Sequence, residues 1–100
     1  MLIVILALLR CNTTDDWHIH GRWMDNNTVP LEYCTNETFS LIDVKTLTVQ
    51  LDKYWSSCYE DNVMLWRNEW QKHGTCFNQT QVNYFNETLQ YYYSDYWQGK

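Results

Sequence analysis

LWRNEWQKHGTC, residues 65–76, sets Glu69, Lys72 and His73 within one helical turn of each other and follows them with Gly74 and Cys76. On a helix, Glu69 and His73 stand at i and i+4, with Lys72 at i+3 from Glu69. A carboxylate, an ammonium and an imidazole then lean towards one place. The imidazole can move a proton near neutral pH. The ammonium can stabilise extra charge on a pentacoordinate phosphorus. The carboxylate can orient the imidazole or raise its pKa. The set suits phosphoryl chemistry; the competing reading is a solvated Glu–His pair at a helix end, worth a few tenths of a kcal/mol. The helix itself is well marked over residues 61–73. Asp61 or Asn62 can cap its start, Val63, Trp66 and Trp70 form an apolar stripe, and Gly74 suits a left-handed position just past its end.

Two more helices flank it. SLIDVKTLTVQLDKYW, residues 40–55, repeats Val44, Leu47, Leu51 and Trp55 at helical spacing behind a Ser40–Asp43 pair resembling a capping box. From Gln81 to Trp97, the residues Val82, Phe85, Leu89, Tyr92 and Tyr96 share one face, which reads as packing rather than a base-stacking platform. WHIHGRW, residues 17–23, alternates as a short strand, with His18, His20 and Arg22 on one face and Trp17, Ile19 and Gly21 on the other. Asn26, Asn27 and Pro30 mark a loop. The opening MLIVILALLR, residues 1–10, reads as an apolar strand or the remnant of a signal segment, and is too short to span a bilayer as a helix. Residues 11–100 then form one α+β domain of short strands and about three helices.

Composition narrows the function. A chain of 100 residues buries a thin core, so covalent staples help. The net charge of −5 argues against gripping nucleic acid by wholesale phosphate neutralisation, so any RNA contact is local. Cys11, Cys34, Cys58 and Cys76 include no CxxC pair, which argues against zinc; they suggest two disulfides, with three connectivities open. N-x-T sequons at Asn12, Asn26, Asn36, Asn78 and Asn86 agree with a secretory, extracellular setting.

A second histidine sharpens the chemistry. Cleaving RNA beside a 2′-hydroxyl needs one group to take its proton and another to protonate the leaving 5′-oxygen, and two histidines can do both without metal or cofactor. The chain has three histidines, His18, His20 and His73. At this point a resemblance becomes specific. WHIHGRWMD is similar to the first conserved segment of the ribonuclease T2 family, T-I-H-G-L-W-P-D after an aromatic residue. LWRNEWQKHGTC is similar to its second, F-W-x-H-E-W-x-K-H-G-T-C. Residues 17–93 follow the family, ending near the middle of its usual domain, and residues 75–93 most resemble plant members, including secreted self-incompatibility ribonucleases.

The resemblance implies a partial T2-like fold and an endoribonuclease acting on single-stranded RNA through a 2′,3′-cyclic phosphate. It implies His20 as general acid, His73 as general base, and Glu69 and Lys72 as stabilisers of the transition state. Trp23 and Asp25 match base-holding positions. Asn68 stands where many members carry a phosphate-binding histidine. His18 inherits no role. Cys34 and Cys76 match a family bridge, and Cys11 and Cys58 have a counterpart in another. Arg22 replaces the usual Leu and reads as facing solvent; Met24 replaces the usual Pro. The rival expectation is a secreted RNase-like glycoprotein that binds without cleaving, or a truncated remnant, favoured by the chain's length, Asn68 and the acidic charge.

Overall fold

In the computed structural model, which describes residues 1–95, a small antiparallel sheet packs against helices, and the α+β expectation holds. Leu2–Leu9 forms β1, His18–Asn26 forms β2 and Val29–Leu31 forms β3, in the order β1-β2-β3. The three α-helices are α1, Thr48–Tyr54; α2, Asn62–Lys72; and α3, Gln81–Asp95. Disulfides join Cys11 to Cys58 and Cys34 to Cys76, the pairing the resemblance implied. Tyr96 and Trp97, expected at the end of the third helix, lie outside the described residues.

The Asn pair makes a tight hairpin rather than an open loop. Asn26 pairs with Val29, and Asn27 and Thr28 take φ of 50° and 71° between them. Positive φ at both central residues is the turn whose twist matches a hairpin. Pro30 is accommodated on β3, an edge strand, where its missing N–H costs little.

Where β1 meets β2 the register slips. Ala7 faces Gly21, but the next residue, Leu8, faces Ile19, so His20 is the extra residue of a β-bulge. The slip overturns the simple alternation and, with it, the expectation that Arg22 faces solvent. Arg22 is only 3% exposed. Past the bulge its side chain turns towards α3, donating to Thr88 Oγ1 at 2.9 Å, Glu87 Oε1 at 2.8 Å and Gln79 Oε1 at 3.0 Å. Its guanidinium also lies 4.3 Å over the Phe77 ring. Replacing Arg22 with Ala strips these partners and the packing of the stem, so it should cost roughly 1–3 kcal/mol. Urea titration of the oxidised protein would read the loss, and an unchanged midpoint would remove Arg22 from the supports of the sheet.

The core consists mainly of aromatic and aliphatic side chains from all three α-helices and β2. Trp55, Trp66, Trp70, Tyr84, Phe85, Ile19, Leu51 and Leu89 are fully buried. Each of these three indoles also finds an acceptor in a neighbouring segment: Trp55 donates to the His20 carbonyl at 2.8 Å, Trp66 to that of Trp55 at 2.7 Å, and Trp70 to that of Glu37 at 3.1 Å. Large rings so anchored bury area and fix loops together.

Two local expectations fail. Residues 40–55 are not one helix but a 3-10 segment, Leu41–Leu47, followed by α1, with Val44 at non-helical φ −110°, ψ 15°. Ser40 makes no side-chain cap. The β-branched residues Val44, Thr46, Thr48 and Val49 weaken a continuous helix there, yet Val44, Leu51 and Trp55 still reach the core. Gly74 is not the left-handed end of α2, since a 3-10 turn, Gly74–Phe77, continues the chain and the left-handed residue is Asn78, at φ 53°. Glycine is needed at 74 for close approach, because a Cβ there would meet Trp70 Cε3 at 2.3 Å.

Candidate active site

The cavity lies between β2 and the C-terminal end of α2. It has a volume of about 410 Å³, and His20, Trp23, Asp25, Glu69, Lys72 and His73 are among its lining residues. Helix α2 delivers three of them together. Asp61 caps its start, accepting from the Met64 N–H at 2.9 Å, and the stripe of Leu65, Trp66 and Trp70 pins it to the core. Glu69, Lys72 and His73 then project from its last turn and its C-cap. The bulge delivers the fourth: it displaces His20 from the regular ladder, and the Trp55 indole holds the His20 carbonyl.

Glu69 is the hub. One oxygen accepts from the Trp23 indole N–H at 2.8 Å, and the other lies 3.6 Å from His20 Nε2. The Trp23 ring stacks on His73, with centroids 4.8 Å apart, and meets His20 edge-on at 5.4 Å. Both imidazoles are therefore held against one indole. Gly21 lets β2 approach this closely, since a Cβ there would sit 2.0 Å from Glu69 Oε1.

The electrostatics follow from burial and from Lys72. Burial pushes the Glu69 carboxyl up to about 7, against the opposing effects of the Trp23 N–H and Lys72. Burial, then Lys72, lowers His73 to about 4. The same two causes, in the same order, lower His20. His73 Nδ1 is buried and has no hydrogen-bond partner among the described residues, which agrees with a neutral ring.

The structure brings His20, Trp23, Asp25, Glu69, Lys72 and His73 to one cavity wall. Asn68 is not brought there; it is exposed on α2 and is not among the lining residues. His18 lies outside the lining too, its Nδ1 3.0 Å from Ser56 Oγ. Glu32, which sequence reasoning did not single out, lines the cavity and lies 3.5 Å from Lys72 Nζ. Its signal was its place two residues before Cys34, whose partner Cys76 follows the end of α2. The five sequon asparagines are all exposed. No described helix is long and apolar enough to cross a membrane.

Known ribonucleases are similar to this chain in sequence and in fold. A model of the ribonuclease T2 family matches residues 6–96. The chain is 33% identical to ribonuclease T2 of Homo sapiens over 87 residues, covering 78% of this chain and 32% of that protein. It is 35% identical to ribonuclease S-4 of Pyrus pyrifolia over 71 residues, 66% of this chain and 31% of the relative. Among solved structures it resembles ribonuclease MC1 from bitter gourd seeds, with a TM-score of 0.76, 27% identity, and coverage of 82% of this chain and 45% of that one. It also resembles RNase NT solved in complex with 5′-AMP, with a TM-score of 0.71, 29% identity, and coverage of 77% and 40%. The chain thus spans about a third of the first curated relative and under half of these structures.

Proposed function

The chain belongs to the ribonuclease T2 family, and from that premise we propose that it is an endoribonuclease cleaving single-stranded RNA by metal-free transphosphorylation. The observation that carries the reading is the placing of two imidazoles, His20 and His73, on one cavity wall with Glu69 and Lys72. His73 takes the proton of the 2′-hydroxyl. The 2′-oxygen attacks phosphorus, and the bond to the 5′-oxygen breaks as His20 gives that oxygen a proton. The products are a 2′,3′-cyclic phosphate and a free 5′-hydroxyl. Lys72 stabilises the charge on the phosphorane. Glu69, with its carboxyl held to about 7 by burial, is largely protonated in weakly acid solution and can donate to a phosphorane oxygen rather than repel it. Trp23 and Asp25 flank the same wall and would hold a base. Asn68 would serve substrate only if RNA extended along α2 beyond the cavity. Two disulfides and exposed sequons support a secreted, glycosylated protein.

The test is incubation of the purified, oxidised protein with single-stranded RNA in EDTA, followed by identification of the new ends. Cyclic-phosphate termini are expected. A folded protein that binds RNA and leaves it intact would reduce the chain to a binding module.

The pH profile follows from the same groups. The base must be neutral, so turnover rises with pH through about 4 as His73 loses its proton. The acid must be protonated, so turnover falls again through the lowered pKa of His20, below the ordinary 6.5. Maximal kcat/KM is expected in weakly acid solution, dropping about tenfold per unit on the alkaline side. An optimum at pH 8 would remove at least one of these histidines from the proton transfers.

A further inference from the structure

Lys72 is the one lining residue with a fixed positive charge among those described, and it does not stand alone. Glu32 Oε2 lies 3.5 Å from its Nζ, with the two side chains 39% and 43% exposed, carboxylate and ammonium respectively. A surface pair of this exposure is ordinarily incidental. Here its backbone is built in. The residue after Glu32, Tyr33, sits at φ 51°, uncommon for a bulky side chain, and its N–H donates to the Lys72 carbonyl at 2.8 Å. Cys34, next along, donates its N–H to Thr75 Oγ1 at 3.2 Å and is bridged to Cys76. Residues 32–34 are thus strapped across the end of α2, and the strap holds the Glu32 carboxylate at the mouth of the cavity beside the ammonium.

We propose that Glu32 is a positioning residue that occupies Lys72 in place of phosphate, so that an incoming phosphodiester must displace its carboxylate to reach the ammonium. The inference rests on the reading of the cavity as a phosphate site. In the free protein the pair keeps Lys72 Nζ at the cavity rather than in bulk water. With an anion bound, the same carboxylate repels it, and substrate affinity is held below what Lys72 alone would give. The two negative groups compete for one cation, which makes Glu32 a setting of affinity rather than a participant in bond breaking.

The measurement is the dissociation constant of inorganic phosphate at low salt, from tryptophan fluorescence or calorimetry, for the wild-type chain and for Glu32→Gln. Removing one carboxylate beside a half-exposed cation should tighten phosphate roughly three- to tenfold, with the gain shrinking at high salt. Asp43→Asn, with the same charge change at a residue outside the cavity lining, should leave the constant alone. In a Lys72→Met background the gain from Glu32→Gln should shrink to the direct repulsion alone. Equal or weaker phosphate binding by Glu32→Gln, including no measurable binding by either protein, overturns the proposal. So does an equal gain from Asp43→Asn or an undiminished gain without Lys72. The outcome is separate from catalysis: a chain that cleaves no RNA but shows the tightening loses the nuclease reading and keeps this one.

Discussion

If the proposed mechanism holds, His20→Ala is expected to lower turnover on single-stranded RNA by at least ~10²-fold, the ordinary cost of losing a general acid or base. His20 suits the test because its side chain is 38% exposed, so its removal leaves no closed void. Its main-chain carbonyl, which anchors the bulge through Trp55, is untouched by the substitution. The melting temperature should therefore stay near the wild-type value while activity collapses. The part of the alkaline limb set by His20 should go with it, leaving the decline through about 7 as Glu69 loses its proton. His73→Ala should cost as much in turnover, but it also unstacks Trp23 and opens a buried space, so part of its effect is structural. Initial rates, with thermal melts of the same preparations, separate the two. His20→Ala turnover within tenfold of wild type would place the proton donor elsewhere.

Much of this site could be read from the chain because its pieces are local. Glu69, Lys72 and His73 sit within one helical turn, and the stripe that orients the helix lies in the same stretch. The face of α3 that buries Phe85, Leu89 and Tyr92 follows the same 3.6-residue logic. What could not be read depends on register. Nothing near His20 announces that it is the extra residue of a bulge, and that one insertion turns Arg22 from the expected solvent face into a buried hydrogen-bond network. Gly21 looks like a weak strand residue until Glu69 is set against it from a helix far along the chain. Glu32 looks like a loop carboxylate until the chain is drawn back across α2 by Tyr33 and the Cys34 bridge. In each case the missing information is a long-range contact, not a local preference.

Gly21→Ala tests that long-range fit most severely. A Cβ at 21 would sit 2.0 Å from Glu69 Oε1 and 2.7 Å from Trp23 Nε1. Neither neighbour moves freely. Glu69 is 6% exposed, and its Oε1 is the acceptor of the Trp23 N–H. Making room breaks that bond and carries the carboxyl away from His20 Nε2, or pushes β2 off the end of α2. Leaving buried polar groups unpaired costs roughly 1–3 kcal/mol of stability. A shift of about 1 Å in a catalytic group can cost on the order of 10²-fold in rate. Both losses are expected together in this variant, read by urea titration and by RNA turnover. The double variant Gly21→Ala/Glu69→Ala removes the clash with Glu69 and leaves the one with Trp23 Nε1, so it should regain part of the stability lost in Gly21→Ala and none of the activity. That coupling isolates the contact between the two residues from any general weakening of the strand. A Gly21→Ala protein with wild-type turnover would mean that the carboxyl of Glu69 need not stand where β2 now holds it.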